Sequence, residues 1–322
     1  MTAVDELVLP HGIGEHAELL LPPDAPLEAW RGERRNGLGA SDLSTLLGLN
    51  PWRDLHGLWL DKVHGIGQDE NWRMRIGTAL EPIVRGIFEE QQELQVEACG
   101  LLQSRAHPFL RCTPDGITSD GGLFEAKTTS WWNAEAWADD QTADHAEVQV
   151  HGGMIVTGIR HAWVAAMVDG NPDRVHIRRV EYDAELAELI VAAAEAFWTQ
   201  YVEARVEPPL TGASLAWARE HFPLREPEQA VDIGAAGREL FDQLTAARRA
   251  RRAAENRCKS IEAQLTALTG GAGRIEALGV PLGTRKTVTT RRVSQDLMRE
   301  AGLDPDDYKT ATESTRFYWK GA

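Results

Sequence analysis

The stretch from Phe109 to Thr128 constrains the fold most, because it sets charged residues into sequence that otherwise reads as β-strand. Phe109–Thr113 and Leu123–Thr128 are strand-like, and the turn-forming Ser119-Asp120-Gly121-Gly122 lies between them, as in a hairpin. Glu125 and Lys127 stand two apart on the second strand, so they project from one face. Asp115 leaves the first strand in Thr113-Pro114-Asp115-Gly116, and the hairpin is expected to bring it beside that pair. Each residue alone has an ordinary reading: Pro-Asp-Gly is a common turn, and Glu-x-Lys is usually a solvated ion pair. On consecutive strands, the joint spacing favours a site.

Two carboxylates converging on one point make an oxygen-ligand site for Mg²⁺. Such an ion polarises a phosphate oxygen and acidifies water, while a lysine stabilises charge growing on phosphorus. Phosphodiester hydrolysis needs little else. Upstream, Leu80, Ile83, Val84, Ile87 and Phe88 make one apolar stripe on a helix expected over Thr78–Leu94. Glu81 falls at the edge of that stripe, where it either joins the site or serves as a first-turn acid favoured by the helix dipole.

The remaining chain alternates helices and strands. Residues 1–25 read as a poorly ordered lead-in, followed by a helical stretch over Leu27–Arg35. Ser41 can cap a short helix to Leu47, and Trp52–Val63 reads as another helix. Val96–Gln103 is strand-like, Ala146–Val156 helical, His161–Val168 and Arg174–Tyr182 strands, and Asp183–Arg205 a strong helix. Residues 207–228 read as a connector. Ala230–Leu268 reads as a long exposed helix, and Arg274–Leu278 with Thr284–Arg292 as a hairpin across Gly279–Gly283.

The net charge of −15, from 34 basic and 49 acidic residues, restricts how such a chain meets nucleic acid. Phosphate neutralisation supplies most non-specific affinity, so the cations must be concentrated in one cleft. Three cysteines, Cys99, Cys112 and Cys258, with no CxxC pair, argue against a disulfide framework, a structural zinc site or a four-cysteine cluster, and fit a reducing cytoplasm. The acidic N-terminus (Asp5, Glu6) is unlike a secretory signal, and no apolar run reaches the roughly 18 residues of a membrane helix.

Several blocks carry a family resemblance. They are Arg34-Arg35-Asn36-Gly37-Leu38-Gly39-Ala40-Ser41-Asp42, Gly48-Leu49-Asn50-Pro51-Trp52, Leu58-Trp59-Leu60-Asp61-Lys62 and Gly77-Thr78-Ala79-Leu80-Glu81-Pro82. Thr113-Pro114-Asp115-Gly116-Ile117, Phe124-Glu125-Ala126-Lys127-Thr128, and Glu147-Val148-Gln149 through Met154–Gly158 follow in order. Over about Arg34 to Tyr201 the chain resembles the YqaJ-type viral recombinases, relatives of the lambda-type exonuclease among the PD-(D/E)xK nucleases. The resemblance implies that Asp115 and Glu125 bind metal, that Lys127 is the catalytic lysine, and that Glu81 contributes to the metal site. It sets Gln149 near the active site, and Arg34 and Ser41 where related exonucleases hold a terminal 5′-phosphate. The plain reading of Ser41 as a helix cap stands beside that one. The family's second glutamine is replaced here by His151, which on its own reads as a polar core or surface residue, and Gly152-Gly153 takes the place of bulkier residues.

Outside those blocks, Trp131, Trp132 and Trp137 are expected to pack as core or lid rather than to stack on bases. Arg248, Arg249, Arg251, Arg252, Arg257 and Lys259 form a basic band on the arm, near Arg285, Lys286, Arg291 and Arg292, and suggest phosphate contact. The expected fold is α/β: a PD-(D/E)xK restriction-endonuclease-like core with a mixed sheet flanked by helices, plus a helical arm and hairpin. The expected domains are a nuclease domain over 26–206 and an extension over 229–322. The implied activity is a Mg²⁺-dependent exonuclease, with Mn²⁺ as a substitute, acting 5′ to 3′ on duplex ends in DNA recombination. The alternatives are a structure-selective or nicking endonuclease and an inactive DNA-binding module. The implied partners are DNA, a single-strand annealing protein and further copies of the chain, with no membrane.

Overall fold

The computed structural model describes residues 12–50, 52–67, 71–137, 141–223, 230–287, 289 and 294–308. The chain divides into two compact units at His221/Phe222.

In the first unit, two sheets share one layer of helices. The larger contains β3 (Val96–Glu97), β6 (Gly116–Thr118), β7 (Leu123–Thr129), β8 (His161–Val168) and β9 (Val175–Glu181), in that order. It is mixed: β7 and β8 run parallel, and the other neighbours antiparallel. The parallel step needs a crossover, which α6 (Asp144–Thr157) supplies. β8 reads Ala-Trp-Val-Ala-Ala-Met-Val and is nearly continuously buried, as expected of a strand covered on both faces. The second sheet has the order β1 (Ala17–Leu21), β4 (Leu101–Ser104), β5 (Leu110–Cys112), β2 (Leu38–Gly39).

α5 (Trp72–Gln92) covers one face of the larger sheet. Asn71 caps it, accepting from the N–H groups of Arg73 and Met74 at 3.0 and 3.1 Å. Val84 and Phe88 are fully buried and meet Phe124, whose ring centroid lies 4.7 Å from that of Phe88. Ile83, expected in the buried stripe, is instead half exposed, because the helix buries only a narrow Val84–Phe88 face here. On the other face α6 packs tightly. A Cβ on Gly153 would meet the Leu123 side chain at 2.8 Å, and one on Gly152 would collide with Leu43. Gly153 therefore lets α6 approach the sheet, and Gly152 lets it approach the Ala40–Leu43 segment on its other side.

α2 (Leu27–Arg35), α3 (Leu43–Leu46), α4 (Leu55–Trp59) continuing in a π turn over Leu60–His64, α7 (Ala184–Phe197) and α8 (Leu215–His221) complete the unit. α8 lies within the segment expected as a connector. Part of the expected lead-in is also structured: α1 (Ile13–His16) precedes β1, which pairs with β4, and Ile13 and Ala17 are fully buried. The hairpin reading also needs correction. Phe109–Thr113 does not pair with Leu123–Thr128; β5 belongs to the second sheet, and β7 pairs with the separate short strand β6. Pro114 explains the break, since it has no N–H for a ladder and marks where the chain changes sheets.

The second unit holds α9 (Gly234–Thr269), β10 (Arg274–Ala277), β11 (Val280–Thr284) and α10 (Gln295–Glu300). The hairpin turns on Leu278-Gly279 alone, both at positive φ (52° and 79°), so its second strand starts at Val280 rather than Thr284. Arg291 and Arg292 lie outside the described residues.

Candidate functional site

β7 builds the centre of the site. Glu125, only 6% exposed, accepts from Lys127 Nζ at 2.6 Å and from Gln149 Nε2 at 2.6 Å. Gln149 Oε1 accepts a second hydrogen bond from Lys127 Nζ at 2.8 Å, which closes a ring of three side chains. Gln149 reaches the sheet from α6 through the close approach that Gly153 allows. Asp115 sits in the crossing from β5 to β6, where its Oδ2 accepts from the backbone N–H of Ala126 at 2.7 Å. That bond ties the carboxylate to β7 between Glu125 and Lys127. The crossing is tight because a Cβ on Gly116 would meet the Glu97 carbonyl at 2.8 Å.

The electrostatics show how closely these groups crowd. Burial raises Asp115 well above the usual carboxylate range, and the charges of Glu125 and Glu81 raise it further, against Lys127 and the Ala126 N–H. Glu81, half-buried on α5, is raised by burial and then by Glu125. Burial alone would lower Lys127, but Glu125, Asp115 and Glu81 together raise it. Three carboxylates thus share one ammonium. Among the described residues no three His, Cys, Asp or Glu form a ready-made metal cage. The donor chemistry nevertheless fits a hard divalent cation: Asp115, Glu125 and Glu81 supply only oxygen, and their mutual repulsion is what a cation relieves.

A stability prediction follows from the sign of the Asp115 shift. A carboxyl raised in the folded state contributes most in acid and loses that contribution as pH rises through the folded value. Asp115→Asn keeps an acceptor for Ala126 N–H and removes the repulsion. Without divalent ions at pH 8 it should melt higher than the parent by about 2–4 °C, the shift per kcal/mol for a unit this size. The gain should vanish toward pH 4, and calorimetry across that range checks it. A variant melting lower at pH 8 would contradict the crowding.

Next to this centre lies a cationic pocket. Arg34, Ser41, Arg111, Thr113 and Gln149 line it, and an adjoining pocket lined by Thr113, Pro114, Glu125 and Gln149 joins it to the carboxylates. Arg34 Nη2 donates to the exposed Ser41 Oγ at 2.7 Å, and its guanidinium lies 5.0 Å from the Trp30 ring centroid. Ser41 is not a cap but lies inside the 3₁₀ turn Ala40–Asp42, and Asp42 closes that turn, accepting from Gly39 N–H at 3.0 Å. Asp42 is fully buried among three cations: Lys62 Nζ at 2.8 Å, Arg53 Nη1 at 3.2 Å and Arg34 Nη2 at 3.4 Å. Burial alone would raise Asp42, but Lys62, Arg34 and Arg53 outweigh it and hold the carboxyl well below the usual range. Arg53 also binds Asp61 at 2.8 Å. Two acids and three bases leave one positive charge over, and Arg34, at the pocket wall with its side chain 32% exposed, is the cation best placed to meet an anion.

Of the residues expected at the site, Glu81, Asp115, Glu125, Lys127 and Gln149 come together, and Arg34 and Ser41 share the adjoining pocket. Arg248, Arg249, Arg251 and Arg252 lie on α9 of the second unit. The reading of the tryptophans divides: Trp137 is buried, whereas Trp131 and Trp132 stack on each other at 3.6 Å with 53% and 73% exposure. His151 is a core residue, its Nδ1 bonded to the Glu147 carbonyl and its Nε2 accepting from Asp183 N–H. Arg111, which binds Glu33 and Gln103 at 2.9 Å each, and the Asp42–Lys62–Arg53 network carried no expected role. The signal for the network was a lysine and an aspartate inside the apolar run Leu58-Trp59-Leu60-Asp61-Lys62-Val63.

Over 303 residues the chain is 28% identical to the uncharacterized protein YqaJ of Bacillus subtilis (strain 168), covering 90% of this chain and 92% of that one. The structure of LHK-Exo, an alkaline exonuclease from Laribacter hongkongensis, in complex with dAMP superposes with a TM-score of 0.50 at 24% identity, over 60% of this chain and 97% of that one. That likeness concerns the fold, and the expected PD-(D/E)xK restriction-endonuclease-like core, with mixed sheets flanked by helices, is the fold observed. Among the described residues no helix is long and apolar enough to cross a membrane. The family model for the YqaJ-like viral recombinase domain matches residues 29–160, which span the cationic pocket and the Asp115–Glu125–Lys127 centre. Over those residues the chain is similar to the YqaJ-like viral recombinase domain.

Proposed function

We propose that this chain is a divalent-metal-dependent deoxyribonuclease that degrades duplex DNA from an end, with Mg²⁺ as the resident ion and Mn²⁺ as a substitute. The observation that carries the reading is the closed ring of Glu125, Lys127 and Gln149 with Asp115 and Glu81 beside it. When bound, the cation supplies Lewis-acid polarisation of a phosphodiester. Asp115, Glu125 and Glu81 would hold it. Lys127 Nζ, fixed by two acceptors, presents its remaining proton to an oxygen of the scissile phosphate or to the attacking water. Water adds to phosphorus, the ester P–O bond breaks, and the leaving oxygen takes a proton. Gln149 keeps Lys127 pointed at that place and donates to Glu125, which fixes the carboxylate in one orientation.

An end-directed activity is supported by the pocket beside the centre. Arg34 and Ser41 offer a guanidinium and a hydroxyl to a terminal 5′-phosphate, and one uncompensated positive charge underlies them. Such anchoring sets the polarity as 5′ to 3′, and the product strand would serve a single-strand annealing protein in recombination. Arg248, Arg249, Arg251 and Arg252 would add backbone contacts. The test is digestion of end-labelled linear duplex beside covalently closed circular duplex, with Mg²⁺ or with EDTA. Loss of the linear DNA alone, only with Mg²⁺, is expected. Cutting of the circle would favour a structure-selective or nicking endonuclease, and inertness toward both would favour a DNA-binding module.

A further inference from the structure

We infer that α9 is one strand of a parallel, in-register two-stranded coiled coil with a second copy of this chain. The helix spans 36 residues, on the order of 54 Å at about 1.5 Å per residue, and none of its described residues is buried. A helix of that length with no buried face gains its stability elsewhere. Its sequence supplies the means. Leu240, Leu244, Ala247, Arg251, Ala254, Cys258, Ile261, Leu265 and Leu268 recur at alternating steps of four and three, a heptad seam with a single polar position. Leu240, Ile261, Leu265 and Leu268 are 66%, 46%, 48% and 84% exposed, so large apolar side chains lie open along one line of the helix.

The flanking charges identify the partner and its direction. With Leu244, Arg251, Cys258 and Leu265 at the a positions, Arg257 occupies g and Glu262 the following e. In a parallel, in-register pair g faces the next e of the other helix, so Arg257 meets Glu262 of the second copy twice by symmetry. The other pairs of this kind, Gln243 with Arg248, Ala250 with Glu255 and Gln264 with Thr269, set no like charges together. An antiparallel pairing of the same overlap centres on residue 256 and sets Arg257 near Arg257 and Glu255 near Glu255. Arg251, already paired with Glu255 of its own helix at 3.3 Å, is the one polar layer, of the kind that fixes register at a cost in stability. Arg249, Arg252 and Lys259 fall at the outward b and f positions, so phosphate contact by those residues and self-association are compatible, whereas Arg251 is committed to the seam and gives up the backbone contact proposed above.

The experiment uses the full chain and needs neither metal nor DNA, so its outcome is separate from that of the nuclease reading. Sedimentation equilibrium is expected to show self-association. The pair Ile261→Asp with Leu265→Asp should weaken it by more than roughly 100-fold, since it puts charge into the apolar layers. Circular dichroism reports whether the variant keeps its first unit folded. A second arm does not alter the seam. Arg257→Glu should weaken association by roughly three- to tenfold, and adding Glu262→Arg should restore it, because e/g pairs set partner choice. Mild oxidation should yield a covalent dimer through Cys258, the exposed cysteine at an a position, and Cys258→Ser should abolish it. A monomeric parent chain, an association untouched by Asp at 261 and 265, or an exchange of 257 and 262 that fails to restore it would overturn the proposal.

Discussion

Lys127→Ala is expected to lower phosphodiester hydrolysis by about 10³-fold, the upper range for losing one preorganised donor at developing charge. The size follows from the site's charge balance. Lys127 is the single ammonium among Glu125, Asp115 and Glu81, and two acceptors at 2.6 and 2.8 Å aim it. Removing it leaves the acids more repulsive, so the variant should bind a divalent cation at least as well while turning over slowly. This split separates a catalytic lysine from a merely structural one. Lys127→Arg should not rescue, because a planar guanidinium cannot occupy the position of a compact ammonium held by Glu125 and Gln149. Single-turnover digestion of end-labelled duplex, with metal affinity measured by titration calorimetry, reads both quantities. Activity within tenfold of the parent chain would remove Lys127 from the chemistry.

The residues of that centre were legible because they depend on local periodicity. Strand alternation alone puts Glu125 and Lys127 on one face, and β7 does so. Asp115 was placed correctly near them for an incomplete reason: it arrives by a crossing between two sheets, and not on the partner strand of a hairpin. Spacing cannot distinguish those routes, since either one ends beside β7. Gln149 sits on a separate helix and was accessible only through family resemblance. The hydrogen bonds it makes to Glu125 and Lys127 join residues more than twenty positions away. Of the core-or-lid reading for Trp131 and Trp132 the core half does not hold, because the chain leaves β7 in a 3₁₀ turn that turns both outward. The Asp42 network was least legible. Its members, Arg34, Asp42, Arg53, Asp61 and Lys62, come from four separate segments, and only the packing of α2 and of the turn after α4 around Asp42 defines the cluster.

That network carries the second large effect. Asp42→Ala is expected to destabilise the first unit by about 3–5 kcal/mol, the usual cost of removing one partner from a buried ion pair. The corresponding fall in melting temperature is on the order of 10 °C. Asp42 is the shared acceptor of Lys62, Arg53, Arg34 and the Gly39 N–H, and the Lys62 side chain is itself fully buried. Without the carboxylate, that ammonium keeps, among the described residues, the Arg34 carbonyl at 3.1 Å. Burial lowers Lys62 despite the opposing pull of Asp42, so the anion, stabilised by three cations, holds the cluster together. The pH dependence has a definite sign. A carboxyl depressed in the folded state stabilises above its unfolded value, near 3.8, and loses that contribution as pH falls toward the folded one. The difference between parent and variant should therefore be full at pH 7 and shrink below about pH 4. Combining Asp42→Asn with Lys62→Met should recover much of the loss, since two polar partners are then removed together. Denaturant unfolding of the four proteins measures this coupling. If the double variant is no more stable than Asp42→Asn alone, Lys62 is not the group Asp42 compensates. The same variants bear on the pocket: with Asp42 gone, Arg34 loses its anchor at 3.4 Å and keeps Ser41 and the Trp30 ring, so any preference for 5′-phosphorylated ends should fall along with stability.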